Sequence, residues 1–400
     1  MVGYVSTRDL IPLYGLYDLL FADHGLSVGQ ISSLFVIWSV VSFGAEVPSG
    51  AWADTVSRRG LLVFASVLYT AGFSVWILVP SYAGFAAGFV LWGISGAIQS
   101  GTFEALLYDE LVVRGASGDF AGLLGYANSG AMVCNLLATL TAAPLYSLGG
   151  YPLVGWVSVG ATVVHGGFAL LLPAAPKVEE ADETLDVAED HAGLAARYAA
   201  MLRAGIGEVT REAVVRRGVL LSSVLIAFLA FDEYFGLLAR DGGTPTASVP
   251  LLVAITVGGQ VVGTALAGRT ASMRAVTMGR AVVVGAILLG GGAVLGGVPG
   301  FVAIGVGYGI LGNAMIVAEA RVQDSITGPA RATVTSVAGL FGEVAAVSIY
   351  AGVAVGSLWL SVTTLVAALA VPVLLSSVLV RRWLPPRAAS SSDVTSVQSD

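Results

Sequence analysis

Four carboxylic acids lie inside long apolar stretches of this 400-residue sequence, where acids are rare. They are Asp18, Asp232, Glu233 and Glu343. Placing a carboxylate at the centre of a lipid bilayer costs about 2.5–3.5 kcal/mol, so such a residue persists where it has a role or a partner. Because burial favours the neutral form of a carboxyl group, these positions could bind and release a proton. The alternative, which the sequence leaves open, is a hydrated acid near a helix end or one paired with a neighbouring tyrosine.

Aromatic side chains occur in the same stretches and could line a cavity. The candidates are Tyr14, Tyr17, Trp38, Trp92 and Tyr234. Aromatic rings offer apolar area and attract cations, so a cavity lined by them suits an apolar or cationic solute. Aromatic residues in membrane helices also serve as packing groups and interface anchors, and the sequence does not separate these uses.

The elements that carry these residues are predicted to be membrane-spanning helices. Hydrophobic residues make up 56% of the chain and charged ones only 11%, against about 25% charged residues in soluble domains. The apolar runs are continuous rather than alternating, which indicates helices and not strands of a barrel. We predict an all-α integral membrane protein with twelve spans. They cover approximately 4–22, 30–48, 60–79, 82–102, 121–143, 151–172, 218–238, 249–266, 281–297, 301–318, 332–352 and 357–380.

Little in the sequence favours catalysis or a cofactor. Cys134 is the single cysteine, there are three histidines, and the net charge of −7 argues against nucleic acid as a partner. Gly307, Gly309 and Gly312 spell GxGxxG, but they lie inside an apolar span with no preceding strand. We interpret the pair Gly305 and Gly309 as a helix-packing motif instead. We therefore expect no enzyme activity, no metal and no cofactor.

The distribution of arginines predicts the topology. Nearly all of the 19 Lys and Arg residues follow even-numbered spans, Arg8 lies at the amino end, and Arg240 is alone on the other side. Cytoplasmic connections carry an excess of positive charge. We therefore expect a multi-pass protein of the cell inner membrane with both termini in the cytoplasm.

One long polar connection divides the spans six and six. Its first part is strongly acidic, whereas apolar residues recur at helical spacing from Leu194 to Val209, which predicts an amphipathic helix at the membrane surface. We predict four segments: an amino-terminal six-helix bundle over 1–172, a linker over 173–217, a second six-helix bundle over 218–383 and a disordered tail over 384–400.

The two halves look duplicated. Parallel six-span repeats of this kind place a binding site between the halves at mid-depth, and two pseudo-symmetric bundles are thus the predicted architecture. A shift of 215 residues aligns Asp18 with Glu233, Arg59 with Arg274, Glu104 with Glu319, and Asp109 with Asp324.

The most specific motif follows the second span. The segment from Glu46 to Arg59 reads EVPSGAWADTVSRR, with Gly50, Asp54 four residues later, and then Arg58. It resembles the signature loop GxxxDxxGRR of the major facilitator superfamily, with Ser57 in place of the second glycine. Together with twelve spans and the six-plus-six division, the resemblance covers nearly the whole chain.

The resemblance implies a gating role for this segment. In the family, the matching aspartate and arginine, with an acid at the end of the fourth span, form a cytoplasmic latch that holds the outward-facing state. The resemblance therefore implies gating by Asp54, Arg58 and Asp109, with Gly50 and Arg59 completing the motif. The alternative is that these residues only supply positive charge on the cytoplasmic side and a turn. The corresponding segment of the second half keeps arginines but has no acid, so a weaker latch is expected there.

The resemblance also implies secondary active transport of a small organic solute by alternating access. The Glu-Val-Pro-Ser-Gly run resembles prokaryotic drug-efflux members, which implies proton-coupled antiport of an amphiphilic compound. Two positions depart from the pattern of these exporters. Trp92 stands where they often carry arginine, and Pro144 is preceded by alanine and not by glycine.

A nutrient importer and a receptor that moves no solute remain alternatives. Small-molecule substrate, protons and membrane lipid are the expected partners of a monomer. Proton coupling or cavity lining is assigned to Asp18, Asp232, Glu233, Glu343, Tyr14, Tyr17 and Trp92.

Overall fold

A computed structural model describes residues 1–174, 203, 207, 209–326 and 331–386. Every regular element among these residues is helical. Within these described ranges, ten helical segments are long and apolar enough to cross a membrane, and one of them, Ser117–Leu170, holds two successive spans. With the broken first span this gives the twelve predicted spans, and the all-α fold with two six-helix halves is confirmed.

The helices of the first half correspond to spans 1–6. They are α1 (Val2–Arg8), α2 (Tyr17–Asp23), α3 (Val28–Thr55), α4 (Arg58–Leu78), α5 (Tyr82–Val113) and α6 (Phe120–Leu170). Those of the second half are α7 (Ala213–Ala227), α8 (Phe235–Asp241), α9 (Val249–Ala265), α10 (Ala267–Thr270), α11 (Ala275–Leu295), α12 (Gly297–Ser325), α13 (Arg331–Gly356) and α14 (Val362–Trp383).

The first span of each half is broken in the same way. In span 1 a 3-10 turn, Pro12–Gly15, separates α1 from α2. In span 7 a 3-10 segment, Phe228–Tyr234, separates α7 from α8. A stretch of 3-10 helix inside a span often marks a hinge, because its hydrogen bonds are less well aligned than those of an α-helix. The two breaks lie at nearly equivalent positions under the 215-residue shift, which supports the duplication.

Spans 5 and 6 are joined by a turn of two glycines. Gly149 and Gly150 leave the helical conformation within α6, and Gly150 has φ 61° and ψ −161°. This backbone region is essentially open only to glycine. Pro152 lies two residues after Gly150. Proline fits the first turn of a helix because its missing N–H is not needed there.

The segment predicted as a loop after span 2 is mostly helical. Helix α3 continues to Thr55, and only Val56 and Ser57 separate it from α4. The Ser57 hydroxyl accepts a hydrogen bond from the Gly60 amide at 3.3 Å and so caps α4. A serine at this position ends one helix and starts the next, because serine is among the best helix N-caps.

The chain forms two compact units. The first unit contains the described residues up to Ala174 together with Glu233–Val257 and Tyr350–Val362, and the second contains the other described residues. In the first unit, aromatic rings form a continuous core. This core includes Tyr17, Phe21, Phe35, Trp76 and Phe89, whose ring centroids lie 4.8–6.3 Å apart where they pair.

In the second unit, glycines bring two helices into direct backbone contact. A Cβ atom added to Gly259 on α9 would overlap the backbone of Gly305 on α12, and one added to Gly263 would overlap Gly309. Two glycine pairs at a spacing of four residues therefore face each other. The interpretation of Gly305 and Gly309 as a helix-packing motif is confirmed, because small residues let backbones approach closely.

The predicted linker helix and tail fall largely outside the described residues. Of the apolar linker positions, Val209 is described. It is buried and packs in a valine-rich cluster of the second unit with Val215, Val219 and Val322.

Candidate functional site

The first unit encloses a cavity of about 330 Å³ among residues of spans 1–5. One wall is aromatic and consists of Tyr14, Trp38, Tyr69 and Trp92. Three of the five aromatic candidates, Tyr14, Trp38 and Trp92, therefore line it. The other two, Tyr17 and Tyr234, are buried and are not part of the lining.

The aromatic wall is held rigidly. The rings of Tyr14 and Trp92 stack at 5.3 Å, and Trp38 lies against Trp92 at 5.4 Å. The Tyr69 hydroxyl donates to the carbonyl of Arg8 at 3.0 Å and also contacts the Tyr14 hydroxyl at 2.5 Å. Because the single Tyr69 proton is used on Arg8, Tyr14 must donate to Tyr69. The wall is thus fixed to the point where α1 ends.

The cavity lining also includes charged residues, and their sum is negative. Arg8 and Asp9, at the carboxyl end of α1, form an ion pair with N to O at 3.3 Å. Glu104 on α5 lines the same cavity and is exposed, and Asn128 on α6 adds an amide. One arginine is thus offset by two carboxylates. The sequence marks these positions only as polar residues at the ends of apolar runs, and their convergence is not predictable from it.

Helix α5 is interrupted where it meets the cavity. Ser100 has φ −58° and ψ 133°, and Gly101 has φ 70° and ψ −43°, both outside the helical region. The hydroxyl of Ser49 donates to the Ala97 carbonyl at 2.9 Å, which satisfies one acceptor near the break. Both Ser100 and Gly101 line the cavity, as does the neighbouring Gln99.

Asp18 lies at the start of α2 and is buried, with 5% of its surface exposed. Its Oδ1 accepts from the Leu19 amide and its Oδ2 from the Leu237 amide, each at 2.8 Å. Leu237 is in the first turn of α8, whose amides have no partner within the helix. The acid of span 1 therefore caps a helix of span 7. Gly236 makes the approach possible, because a Cβ there would overlap the Asp18 carboxylate.

A second polar contact joins the same two spans one turn further on. The Arg240 guanidinium donates to Asp23 Oδ1 at 2.6 Å, and the Tyr151 hydroxyl donates to Asp23 Oδ2 at 2.5 Å. Ser32 of α3 contacts the hydroxyl of Tyr234 at 2.9 Å. Arg240 is therefore part of a three-residue network with Asp23 and Tyr151, which the sequence does not predict.

The other predicted acids lie in different surroundings. Glu233 is partly buried in the first unit, and its Oε2 is buried without a hydrogen-bond partner among the described residues. Asp232 is exposed and belongs to the second unit, as does the partly buried Glu343 on α13. The structure thus places Asp18 and Glu233 in one unit and Asp232 and Glu343 in the other.

The signature segment brings Arg58 against Asp109. The Arg58 guanidinium donates to the Asp109 carboxylate and, at 3.3 Å, to the Ala105 carbonyl. Asp109 is 3% exposed. Arg59 donates to the carbonyl of Leu170 at the carboxyl end of α6, where a cation is favoured by the helix dipole. Gly50 and Asp54 lie on α3, and the Asp54 side chain is outside the described part of the chain. The gating role of all five residues remains a prediction.

In the second half, the region equivalent to the Arg58–Asp109 ion pair has a different set of contacts. Arg321 on α12 donates to three carbonyl oxygens, those of Ala271, Met273 and Pro385, at 2.8, 2.6 and 3.1 Å. Met273 is the residue that the 215-residue shift aligns with Arg58. Asp324, which the shift aligns with Asp109, is exposed. A buried arginine that binds backbone carbonyls thus replaces the ion pair of the first half.

Comparison with known proteins identifies the family. The sequence profile described as Major Facilitator Superfamily matches residues 10–349. A search of curated proteins finds no match. Similar solved structures include a mutant of the nucleoside transporter NupG, with a TM-score of 0.74 at 12% identity over 96% of this chain and 98% of that one. A bacterial homolog of the human lysosomal transporter Spinster has a TM-score of 0.68 at 13% identity, covering 98% and 97%.

A third similar structure is a POT family transporter in complex with 5-aminolevulinic acid, with a TM-score of 0.68 at 10% identity, covering 96% and 95%. The structural similarity shows the fold, and the profile match shows the family. The chain is a multi-pass membrane transporter and not an enzyme, and it belongs to the Major Facilitator Superfamily.

Proposed function

We propose that the protein exports small amphiphilic compounds across the cell inner membrane in exchange for protons, as a monomer with both termini in the cytoplasm. The observation that carries the proposal is the cavity of the first unit. It combines an aromatic wall, represented by Trp92, with a polar side that carries one arginine and two carboxylates. Aromatic area next to excess negative charge suits a solute with an apolar body and a polar or cationic group.

Coupling to protons is assigned to Asp18 and Glu233, which occupy equivalent positions in the two halves. Asp18 holds the first turn of α8 with its carboxylate, and the contact joins span 1 of one half to span 7 of the other. On the topology predicted from the arginines, this contact lies on the outer side. Opening that side requires the contact to break, and protonation of Asp18 would weaken it, since a carboxylate accepts a stronger hydrogen bond than a neutral acid does.

The experiment is transport of a small aromatic cation into proteoliposomes. N-methyl-4-phenylpyridinium is permanently charged, so it cannot follow a pH gradient by crossing the lipid as a neutral base. In vesicles with inside-out protein, an acidic lumen should drive its accumulation, and collapsing the gradient with nigericin should abolish it. Accumulation driven by an acidic exterior instead would indicate a symporter, and binding without accumulation would indicate a receptor. Either result would refute the proposal.

A further inference from the structure

We propose that the break in span 4 is a binding subsite for an ammonium group of the transported solute, with Gln99 and Glu104 as its hydrogen-bond acceptors. The inference deepens the proposed function, because it takes the cavity of the first unit to be the site that solute occupies. It rests on the backbone of α5, on the orientation of one buried amide and on the balance of charge.

The backbone break is the first observation. Irregular backbone at membrane depth is tolerated where it is buried in protein or lines a cavity, because its polar groups find no partner in lipid. Ser100 and Gly101 meet this condition, since both line the cavity. A Cβ added at Gly101 would contact nothing within 4 Å, so crowding does not explain the glycine. Its φ of 70° does, because glycine adopts this conformation without the strain that a side chain would bring.

The second observation is an acceptor without a partner. Gln99 is 8% exposed, it lines the cavity, and its Oε1 is buried with no hydrogen-bond partner among the described residues. Its Nε2 donates to the Ser95 hydroxyl at 3.0 Å, and that hydroxyl donates to the Ala65 carbonyl at 2.8 Å.

This chain of hydrogen bonds fixes the orientation of the amide. The single hydroxyl proton of Ser95 is donated to the Ala65 carbonyl. Toward Gln99 the hydroxyl can therefore only accept a hydrogen bond. The amide nitrogen of Gln99 must therefore face Ser95, and the oxygen must face away from it. A buried acceptor left without a donor is unfavourable, so the site is prepared for a ligand that brings an N–H or O–H group.

The charge balance selects a cationic donor. Arg8 is already paired with Asp9, whereas Glu104, on the same helix as Gln99, is exposed on the cavity lining. A hydrogen-bond donor that also carries positive charge satisfies both Gln99 and Glu104, and an ammonium group is the simplest such donor. A divalent metal ion fits poorly, because it prefers several carboxylate ligands. Among the described residues no group of three or more His, Cys, Asp or Glu side chains could hold one.

The rest of the cavity restricts the body of the solute. Its volume of about 330 Å³ is near the lower end of the range of roughly 300–1,000 Å³ for small-molecule sites. The wall is aromatic, with Trp92 stacked on Tyr14 and tilted by 40° against Trp38. The structure thus favours a cationic nitrogen attached to one or two rings, and among such cations a primary or secondary amine over a quaternary one, because only the amine also donates a hydrogen bond to Gln99.

The test is equilibrium binding to the purified full-length protein, measured by calorimetry at neutral pH. The probes are 2-(naphthalen-2-yl)ethylamine, which is protonated, and 2-(naphthalen-2-yl)ethanol, which has the same shape without the charge. We expect the amine to bind at least tenfold more tightly. Glu104→Gln should lower the affinity for the amine about tenfold and leave that for the alcohol unchanged, whereas Gln99→Leu should lower the affinity for both probes, because the O–H group of the alcohol also donates to the Gln99 oxygen.

Two further variants keep the test decisive. Gln99→Glu retains an acceptor and should preserve or improve amine binding, which separates loss of the acceptor from a folding defect in Gln99→Leu. Glu110→Gln removes an acid of the same helix that pairs with Arg114 and is not part of the cavity lining, and it should change neither affinity. Equal affinities for the two probes, an unchanged Glu104→Gln variant, or no binding of either probe would overturn the inference. Because binding needs no proton gradient, a failure of proton exchange alone would refute the proposed function and not the subsite.

Discussion

The carboxylate of Asp18 accepts a hydrogen bond from the backbone amide of Leu237, 219 residues away in the sequence, at 2.8 Å. Helix N-terminal amides are usually capped by the residue just before the helix. Here Tyr234 precedes α8 and its side chain makes no capping hydrogen bond, so the cap comes from another span. A side chain of one half thus stabilises the start of a helix in the other.

Replacing Asp18 should separate its structural role from its chemical role. Asparagine keeps one acceptor oxygen, whereas the Asp18 carboxylate accepts from both Leu19 and Leu237, so Asp18→Asn should lower the free energy of unfolding by about 0.5–1 kcal/mol and Asp18→Ala, which removes both acceptors, by about 1–3 kcal/mol. Thermal unfolding in detergent measures both. Asp23→Asn is the matched comparison in the exposed network, where the Arg240 and Asp23 side chains are 30% and 37% exposed, and its effect should stay below about 1 kcal/mol. Equal losses for Asn and Ala at position 18 would contradict the capping role.

Gly236 should tolerate no side chain. Gly236→Ala places a methyl group against the Asp18 carboxylate and should displace it from the Leu237 amide. We expect transport to fall at least tenfold, with a loss of stability of about 1–3 kcal/mol, the usual effect of overpacking. Gly242→Ala, beyond the end of α8 and only in ordinary contact with two carbonyls, is the control. Full activity of Gly236→Ala would show that the close approach is dispensable.

The pair of Arg58 and Asp109 should behave as a buried ion pair. Removing one partner leaves the other charge uncompensated, so Asp109→Asn should destabilise the protein by about 3–5 kcal/mol. Arg114→Gln, which breaks the pair with Glu110 where Arg114 is 67% exposed, should cost less than about 1 kcal/mol. Thermal unfolding of the two variants provides the comparison. Similar small effects would mean that Asp109 does not depend on Arg58.

Two adjacent glycines of α9 should respond oppositely to the same substitution. Gly259→Ala forces α9 away from the backbone of Gly305, and we expect a loss of about 1–3 kcal/mol and a poor yield of monodisperse protein. Gly258→Ala meets nothing within 4 Å and should be neutral or slightly stabilising, since alanine has the higher helix propensity. Size-exclusion chromatography and thermal unfolding would detect the difference, and identical behaviour would contradict the close helix contact.

Hydropathy and arginine spacing predict the spans well, because the bilayer imposes a length and a composition on each of them. The breaks are less visible. Pro12 hints at the one in span 1, but the 3-10 segment of span 7 contains neither proline nor glycine. Local sequence propensity therefore does not predict it.

The candidate site, too, is only partly predictable from the sequence. The contact between Arg58 and Asp109 follows from the resemblance of the signature segment to a known family. The capping of Leu237 by Asp18 could not be predicted, because every residue except proline carries a backbone amide and the sequence does not mark which amide will be free. Gln99 was detectable only as a polar residue in an apolar span, and the missing partner of its oxygen is visible only in three dimensions.

Proton movement linked to the solute is the most direct test of the account. Proteoliposomes carrying a pH-sensitive dye in the lumen should show a change of lumenal pH when N-methyl-4-phenylpyridinium is added to the wild type. Asp18→Asn and Glu233→Gln, both folded, should lose this response while still binding the cation. An undiminished response in both variants would remove these acids from the mechanism, and the absence of any response in the wild type would contradict proton-coupled exchange itself.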